Sequence, residues 1–188
     1  MCTSMSYPSV KPKNIFLVGP MGSGKTTVGK QLAKALYYDF IDCDHEIEDR
    51  TGASIPLIFD VEGEEGFRRW ERTVIDDLTQ LASLVLATGG GAVLDEGNRN
   101  LLRQRGVVVY LRATAEQLYQ RTAKDRNRPL LQTENPRAKI EELVVAREPL
   151  YQDVADITVD TGSGSVHSVV KRIIAQLKSA GVVAQENE

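Results

Sequence analysis

The stretch Gly19-Pro20-Met21-Gly22-Ser23-Gly24-Lys25-Thr26-Thr27 limits what this chain can fold into more than any other. It fits G-x-x-x-x-G-K-[ST], the spacing that wraps backbone N–H groups around phosphates. Ile15-Phe16-Leu17-Val18 before it is a short apolar run of strand type, and Val28, Leu32, Ala35 and Leu36 after it recur at helical spacing. The loop therefore has the strand on one side and the helix on the other that the motif requires. Gly19, Gly22 and Gly24 let the chain turn its N–H groups inward at a helix N-terminus, where the helix dipole adds positive character. Lys25 would reach the β- and γ-phosphates and the Thr26 hydroxyl would ligate Mg²⁺. The simpler alternative is a glycine-rich turn joining strand to helix, but every fixed position and both flanks of the motif are present. Gly22, Ser23, Gly24, Lys25, Thr26 and Thr27 are thus expected to bind a nucleoside triphosphate.

Beyond this loop, apolar strand-like runs alternate with helical patterns, which is the mark of a parallel sheet covered on both faces. Strands are expected near Asn14–Val18, Phe40–Asp42, Ser83–Ala87, Val107–Leu111 and Asp156–Asp160. Helices are expected over Lys25–Tyr37, Asp44–Thr51, Ile55–Phe59, Glu64–Leu81, Glu96–Arg105, Ala115–Thr122, Ala138–Tyr151 and Val166–Lys178. With 188 residues, 41% hydrophobic and 26% charged, the chain suits one domain, over 14–178, with flexible tails at 1–13 and 179–188. Lys124–Pro136 combines Lys124, Arg126 and Arg128 with two prolines, and reads as a mobile loop. The net charge, 23 − 26 = −3, argues against a general nucleic-acid binder. Cys2 and Cys43 fit no disulfide or zinc spacing, and no window approaches the ~18 apolar residues of a membrane span. A cytoplasmic chain with no export signal and no membrane anchor is expected.

In open α/β sheets ligands sit beyond the carboxyl ends of the strands, and here those ends carry polar and glycine-rich segments. Asp42-Cys43-Asp44 offers two carboxylates one residue apart, which suits one facing a metal and one facing a hydroxyl; Asp44 could instead be a helix N-cap. Thr88-Gly89-Gly90-Gly91 suits close approach of a ligand to the main chain, or a flexible turn. Arg68 and Arg147 could grip a carboxylate in a bidentate fork. The competing reading is surface ion pairs, such as Arg68 with Glu64 or Glu71.

Taken together these segments resemble the bacterial shikimate kinase family. The likeness runs through Gly19–Thr27, Asp42-Cys43-Asp44, Arg50-Thr51-Gly52, Gly63 to Arg68, Ala87 to Gly91, Arg128-Pro129-Leu130-Leu131 and Arg147-Glu148-Pro149-Leu150-Tyr151, in that order. The resemblance implies a three-layer α/β fold of the P-loop nucleoside-monophosphate-kinase type, with five parallel strands, the P-loop strand in the middle and a mobile lid at about 123–137. It implies transfer of the ATP γ-phosphoryl group to the 3-hydroxyl of shikimate, with Mg²⁺ as cofactor and ATP and shikimate as the only partners of a monomer. By the same resemblance Lys25, Asp44 and Arg128 are catalytic, and Thr26 and Asp42 attend the metal. Asp44, Arg68, Gly89, Gly90, Gly91 and Arg147 would bind the acceptor, and Arg121 would pack on the adenine. The loop Thr161-Gly162-Ser163-Gly164-Ser165 departs from the family, which often has a basic or larger residue there. Other small-metabolite kinases, such as gluconate kinase, share the scaffold. A nucleotide switch would be expected to carry an N-K-x-D segment, which is absent, and the arginines from Arg121 to Arg137 lack the interleaved aromatics of a nucleic-acid patch.

Overall fold

Five parallel strands form a single sheet in the computed structural model, which describes residues 13–123, 131, 133–162 and 164–184. They are β1 (Asn14–Val18), β2 (Asp39–Asp42), β3 (Leu84–Ala87), β4 (Gly106–Arg112) and β5 (Ile157–Asp160), in the spatial order β2-β3-β1-β4-β5. The strand that feeds the P-loop is therefore central, as the family resemblance implies. Ile15 pairs with Val85 on one side and with Val107 on the other.

The helices are α1 (Lys25–Leu36), α2 (Cys43–Thr51), α3 (Ile55–Leu78), α4 (Glu96–Arg105), α5 (Ala115–Thr122), α6 (Pro136–Val154) and α7 (Val166–Ser179). Alternate residues of the central strands point to opposite faces. Phe16, Val18, Leu84, Leu86, Val108 and Tyr110 face α3, α4 and α6, whereas Ile15, Leu17, Val85, Val107, Val109 and Leu111 face α1 and α7. Because both faces are covered, β1 and β3 are buried along their whole length. That is why they read as unbroken apolar runs. A smaller cluster of Ala113, Leu118 and Ile140 holds α5 against α6. Among the described residues no helix is long and apolar enough to cross a membrane.

Some elements differ from expectation. The helices foreseen at Ile55–Phe59 and Glu64–Leu81 abut as α3, broken only at Gly63, whose φ of 72° and ψ of 179° lie where only glycine is comfortable. α6 continues to Val154 with Pro149 inside it, and a single 3-10 turn at Ala92–Leu94 follows the triple glycine. Of the segment expected as a C-terminal tail, 185–188 lie outside the described residues, and 180–184 follow the end of α7. Val182 donates its N–H to the Leu177 carbonyl and is buried with the α1 and α7 residues, so an apolar contact holds the turn after the helix.

Candidate active site

Parallel strands bring all their carboxyl ends to one rim, and the P-loop, Asp42, Thr88 to Gly91 and Thr161 all follow strands on it. Gly24 caps α1 in the left-handed region with φ of 94°. Lys25 folds back over the loop, its Nζ donating to the carbonyls of Gly19 at 2.7 Å and Pro20 at 2.9 Å. A cleft of about 350 Å³ opens here, bounded among others by Gly22, Thr26, Thr27, Asp44, Gly90 and Arg121.

Thr26 Oγ1 donates to Asp42 Oδ2 at 2.6 Å, and Asp42 Oδ1 accepts the Asp44 N–H at 3.1 Å. Asp42 is thus the N-cap of α2, and Asp44 lies in its first turn. The capping role considered for Asp44 belongs to its neighbour. The Thr26 hydroxyl and Asp42 carboxylate place two hard oxygens side by side on the cleft wall. Among the described residues no group of three or more His, Cys, Asp or Glu could hold a metal ion. Such a sparse donor set fits Mg²⁺, which takes one or two protein oxygens and leaves its other positions to phosphates and water.

Against the triple glycine, whose Gly90 borders the cleft, stands a buried charge cluster. Glu71, from α3, is 0% exposed and accepts from Arg68 Nη1 at 2.7 Å through Oε2, while its Oε1 has no hydrogen-bond partner among the described residues. Burial pushes its carboxyl up to about 7 and the neighbouring Asp44 adds to this, against the pull of the Arg68 and Arg147 guanidinium groups. Arg147, from α6, is 6% exposed. Arg68 makes both ion pairs considered for it, to Glu64 at 3.0 Å and Glu71 at 2.7 Å. Its side chain is nevertheless only 16% exposed and lies against the triple glycine. A Cβ on Gly91 would come within 2.3 Å of Arg68 Nη2, and one on Gly89 within 2.5 Å of Glu71 Oε1 and 3.0 Å of Asp44 Oδ1. The glycines are needed because charged side chains from α2 and α3 pass directly over them.

Arg121 links donor loop and far rim: it donates to the Gly22 carbonyl at 3.3 Å and to the Thr161 carbonyl and hydroxyl at 2.8 and 3.2 Å. Arg128 and most of the expected lid lie outside the described residues. Sequence reasoning gave no role to Glu71 or to Tyr151, whose hydroxyl donates to the Gly90 carbonyl at 2.5 Å. The sequence signals for Glu71 were its place three residues after Arg68 in a helix and its position as the glutamate of the segment Phe67-Arg68-Arg69-Trp70-Glu71, which fits the family's F-R-x-x-E.

The raised Glu71 carboxyl sets a sign for pH. An acid whose folded-state value exceeds its unfolded one favours folding fully below the unfolded value, and that contribution is lost as pH rises through the folded one. Native stability should therefore fall between roughly pH 4.5 and 7 through this group, by at most about 3 kcal/mol. Glu71→Gln should flatten that part of the curve. Thermal midpoints of both proteins across the window check it, and parallel curves would exclude Glu71 as the source.

A phosphate-cradling loop on the central strand of a parallel sheet, a hydroxyl–carboxylate pair beside it and two guanidinium groups around the buried Glu71 next to the triple glycine define a P-loop kinase acting on a small acceptor. The chain belongs to the shikimate kinase family, whose profile matches residues 21–178. It is 56% identical to the shikimate kinase of Bordetella pertussis over 165 residues, covering 88% of this chain and 78% of that one. The shikimate kinase of Burkholderia lata is 55% identical over 172 residues, covering 92% and 94%. The solved structure of the Acinetobacter baumannii shikimate kinase in complex with shikimate superposes with a TM-score of 0.89 at 51% identity, covering 91% and 96%. A gluconokinase from Sinorhizobium meliloti, at 18% identity, a TM-score of 0.58 and coverage of 90% and 93%, shares the fold alone.

Proposed function

We propose that this protein transfers the γ-phosphoryl group of ATP to the 3-hydroxyl of shikimate, giving shikimate 3-phosphate and ADP on the route to chorismate and the aromatic amino acids. The observation that carries the choice of acceptor is the buried Arg68–Glu71–Arg147 cluster packed on the triple glycine at the edge of the cleft. Phosphoryl transfer asks a protein mainly for alignment and charge compensation. Lys25 offers its ammonium group at the loop mouth, and the P-loop N–H groups hold the donor. Thr26 and Asp42 would hold Mg²⁺, which when bound neutralises charge on the phosphate oxygens. Asp44 orients the acceptor hydroxyl and takes its proton, while Arg68 and Arg147 clamp the acceptor carboxylate above Gly89, Gly90 and Gly91. Arg121 supports the adenine from its bridge between Gly22 and Thr161. A role for Arg128 at the transferring group rests on the family resemblance. The same reading has a single cytoplasmic domain working as a monomer.

ADP formation with ATP and Mg²⁺ should require shikimate and should not occur with gluconate or with water alone. Equal turnover of gluconate would overturn the choice of acceptor. Arg147→Ala should weaken shikimate binding about 10- to 150-fold, the worth of a charge-assisted hydrogen bond, with little change for ATP. Calorimetry with each ligand checks this, and wild-type shikimate affinity would return Arg147 to a structural role.

A further inference from the structure

Pro149 stands inside α6, and a proline removes a backbone hydrogen bond to the preceding turn. Around it the helix is fastened through side chains. Tyr151, 1% exposed, stacks on Tyr110 with ring centroids 5.1 Å apart and planes 19° apart, and the Tyr110 hydroxyl donates to the Glu148 carboxylate. The Tyr151 hydroxyl reaches the Gly90 carbonyl at 2.5 Å. Arg147, one turn earlier on α6, lines the same small pocket as Tyr151, Pro20 and Met21, and its guanidinium partly opposes the burial that pushes the phenol up to about 12. Gly90 in turn lies against the donor loop, since a Cβ there would come within 3.2 Å of the Met21 nitrogen and 3.6 Å of the Gly19 carbonyl. Gly19 is also where the Lys25 ammonium is hydrogen-bonded.

We propose that Tyr151 is a positioning residue that couples the two substrate sites, its hydroxyl holding Arg147 on one side and the Gly90 carbonyl, and through it the P-loop, on the other. The hydroxyl sets the spacing between the acceptor clamp and the donor loop, so binding at either side orders the same link. A phenylalanine at 151 keeps the ring and its stacking but leaves the Gly90 carbonyl and Arg147 without that common partner. This inference rests on the proposed shikimate kinase activity.

The test is Tyr151→Phe beside Tyr110→Phe, which loses the bond to Glu148 but leaves the Gly90 contact in place. In steady-state assays Tyr151→Phe should raise the KM for shikimate by about tenfold. Its ATP affinity without shikimate should stay within about twofold, whereas wild-type protein should bind each ligand more tightly in the presence of the other, as the link requires, and Tyr151→Phe should lose most of that gain. Tyr110→Phe should lower the melting temperature and leave the shikimate KM as in wild type. Wild-type KM and coupling in Tyr151→Phe, or equal KM changes in both variants, would overturn the proposal. Should Tyr151→Phe be unfolded at the assay temperature, 3-fluorotyrosine placed at 151 alone keeps the fold and makes the hydroxyl a stronger donor. A lower shikimate KM supports the link, and an unchanged one overturns it. Wild-type protein inert toward shikimate would refute the proposed function instead, so the two failures are distinguishable.

Discussion

Lys25→Ala should cut turnover of ATP with shikimate on the order of 10²–10³-fold or more while the protein stays folded. The magnitude follows from removing a positioned charge from the place where negative charge shifts during transfer. The fold should survive because Nζ donates to two carbonyls of the loop itself, those of Gly19 and Pro20, and the pairing of β1 with β3 and β4 runs through backbone that the substitution leaves unchanged. Phosphate must replace those carbonyls as the partner of the ammonium group, so the resting contacts mark its reach. ADP release and thermal melting of the same preparation check the result. Turnover within tenfold of wild type would show that the lysine serves the loop and not the phosphates.

Asp44→Asn should lower turnover by ~10²–10⁴-fold if the carboxylate accepts the acceptor's proton, the usual worth of positioned proton transfer. A loose transition state needs little early deprotonation, so the lower end is expected. Stability should move the opposite way from activity. The Asp44 charge raises the Glu71 carboxyl and also pushes up the buried Cys43 thiol, behind burial and Glu71 itself. A neutral amide at 44 relieves that repulsion. Asp42 keeps the helix cap, so no capping loss masks the gain. A melting temperature equal to or above wild type with turnover down by at least a hundredfold is the expected pair. Near-wild-type turnover and shikimate affinity would discard a role for Asp44 in the reaction, and a loss confined to affinity would leave it as an anchor for the hydroxyl.

What could be read from the chain follows from how locally each feature is encoded. β1 and the loop after it were legible because a doubly covered strand leaves an unbroken apolar run and phosphate binding needs glycine and lysine at fixed spacing. The break at Gly63 was legible too, as a gap between two helical patterns. Glu71 was not. Three residues from Arg68 in a helix, it looks like half of a surface pair. Its burial comes from Gly89, eighteen residues later (89 − 71), packing over it in space. The Tyr151 hydroxyl meets a backbone carbonyl 61 residues away, and a carbonyl has no sequence signature at all. Nor could sequence divide the labour of Asp42 and Asp44, since both are aspartates and either could cap the helix that follows.

The central place of β1 also governs when the donor loop can come into being. Its two neighbours are supplied by chain 70 residues (85 − 15) and 92 residues (107 − 15) further on. Pairings this remote close large loops before any contact rewards them, which slows folding. During synthesis the nucleotide-binding sequence leaves the ribosome before either neighbour of β1, and the strand beneath it lacks its second neighbour until β4 has emerged. The donor loop is thus made well before the strands that fix it, and ATP, which recognises the finished loop, can hold the folded state only after those strands have paired.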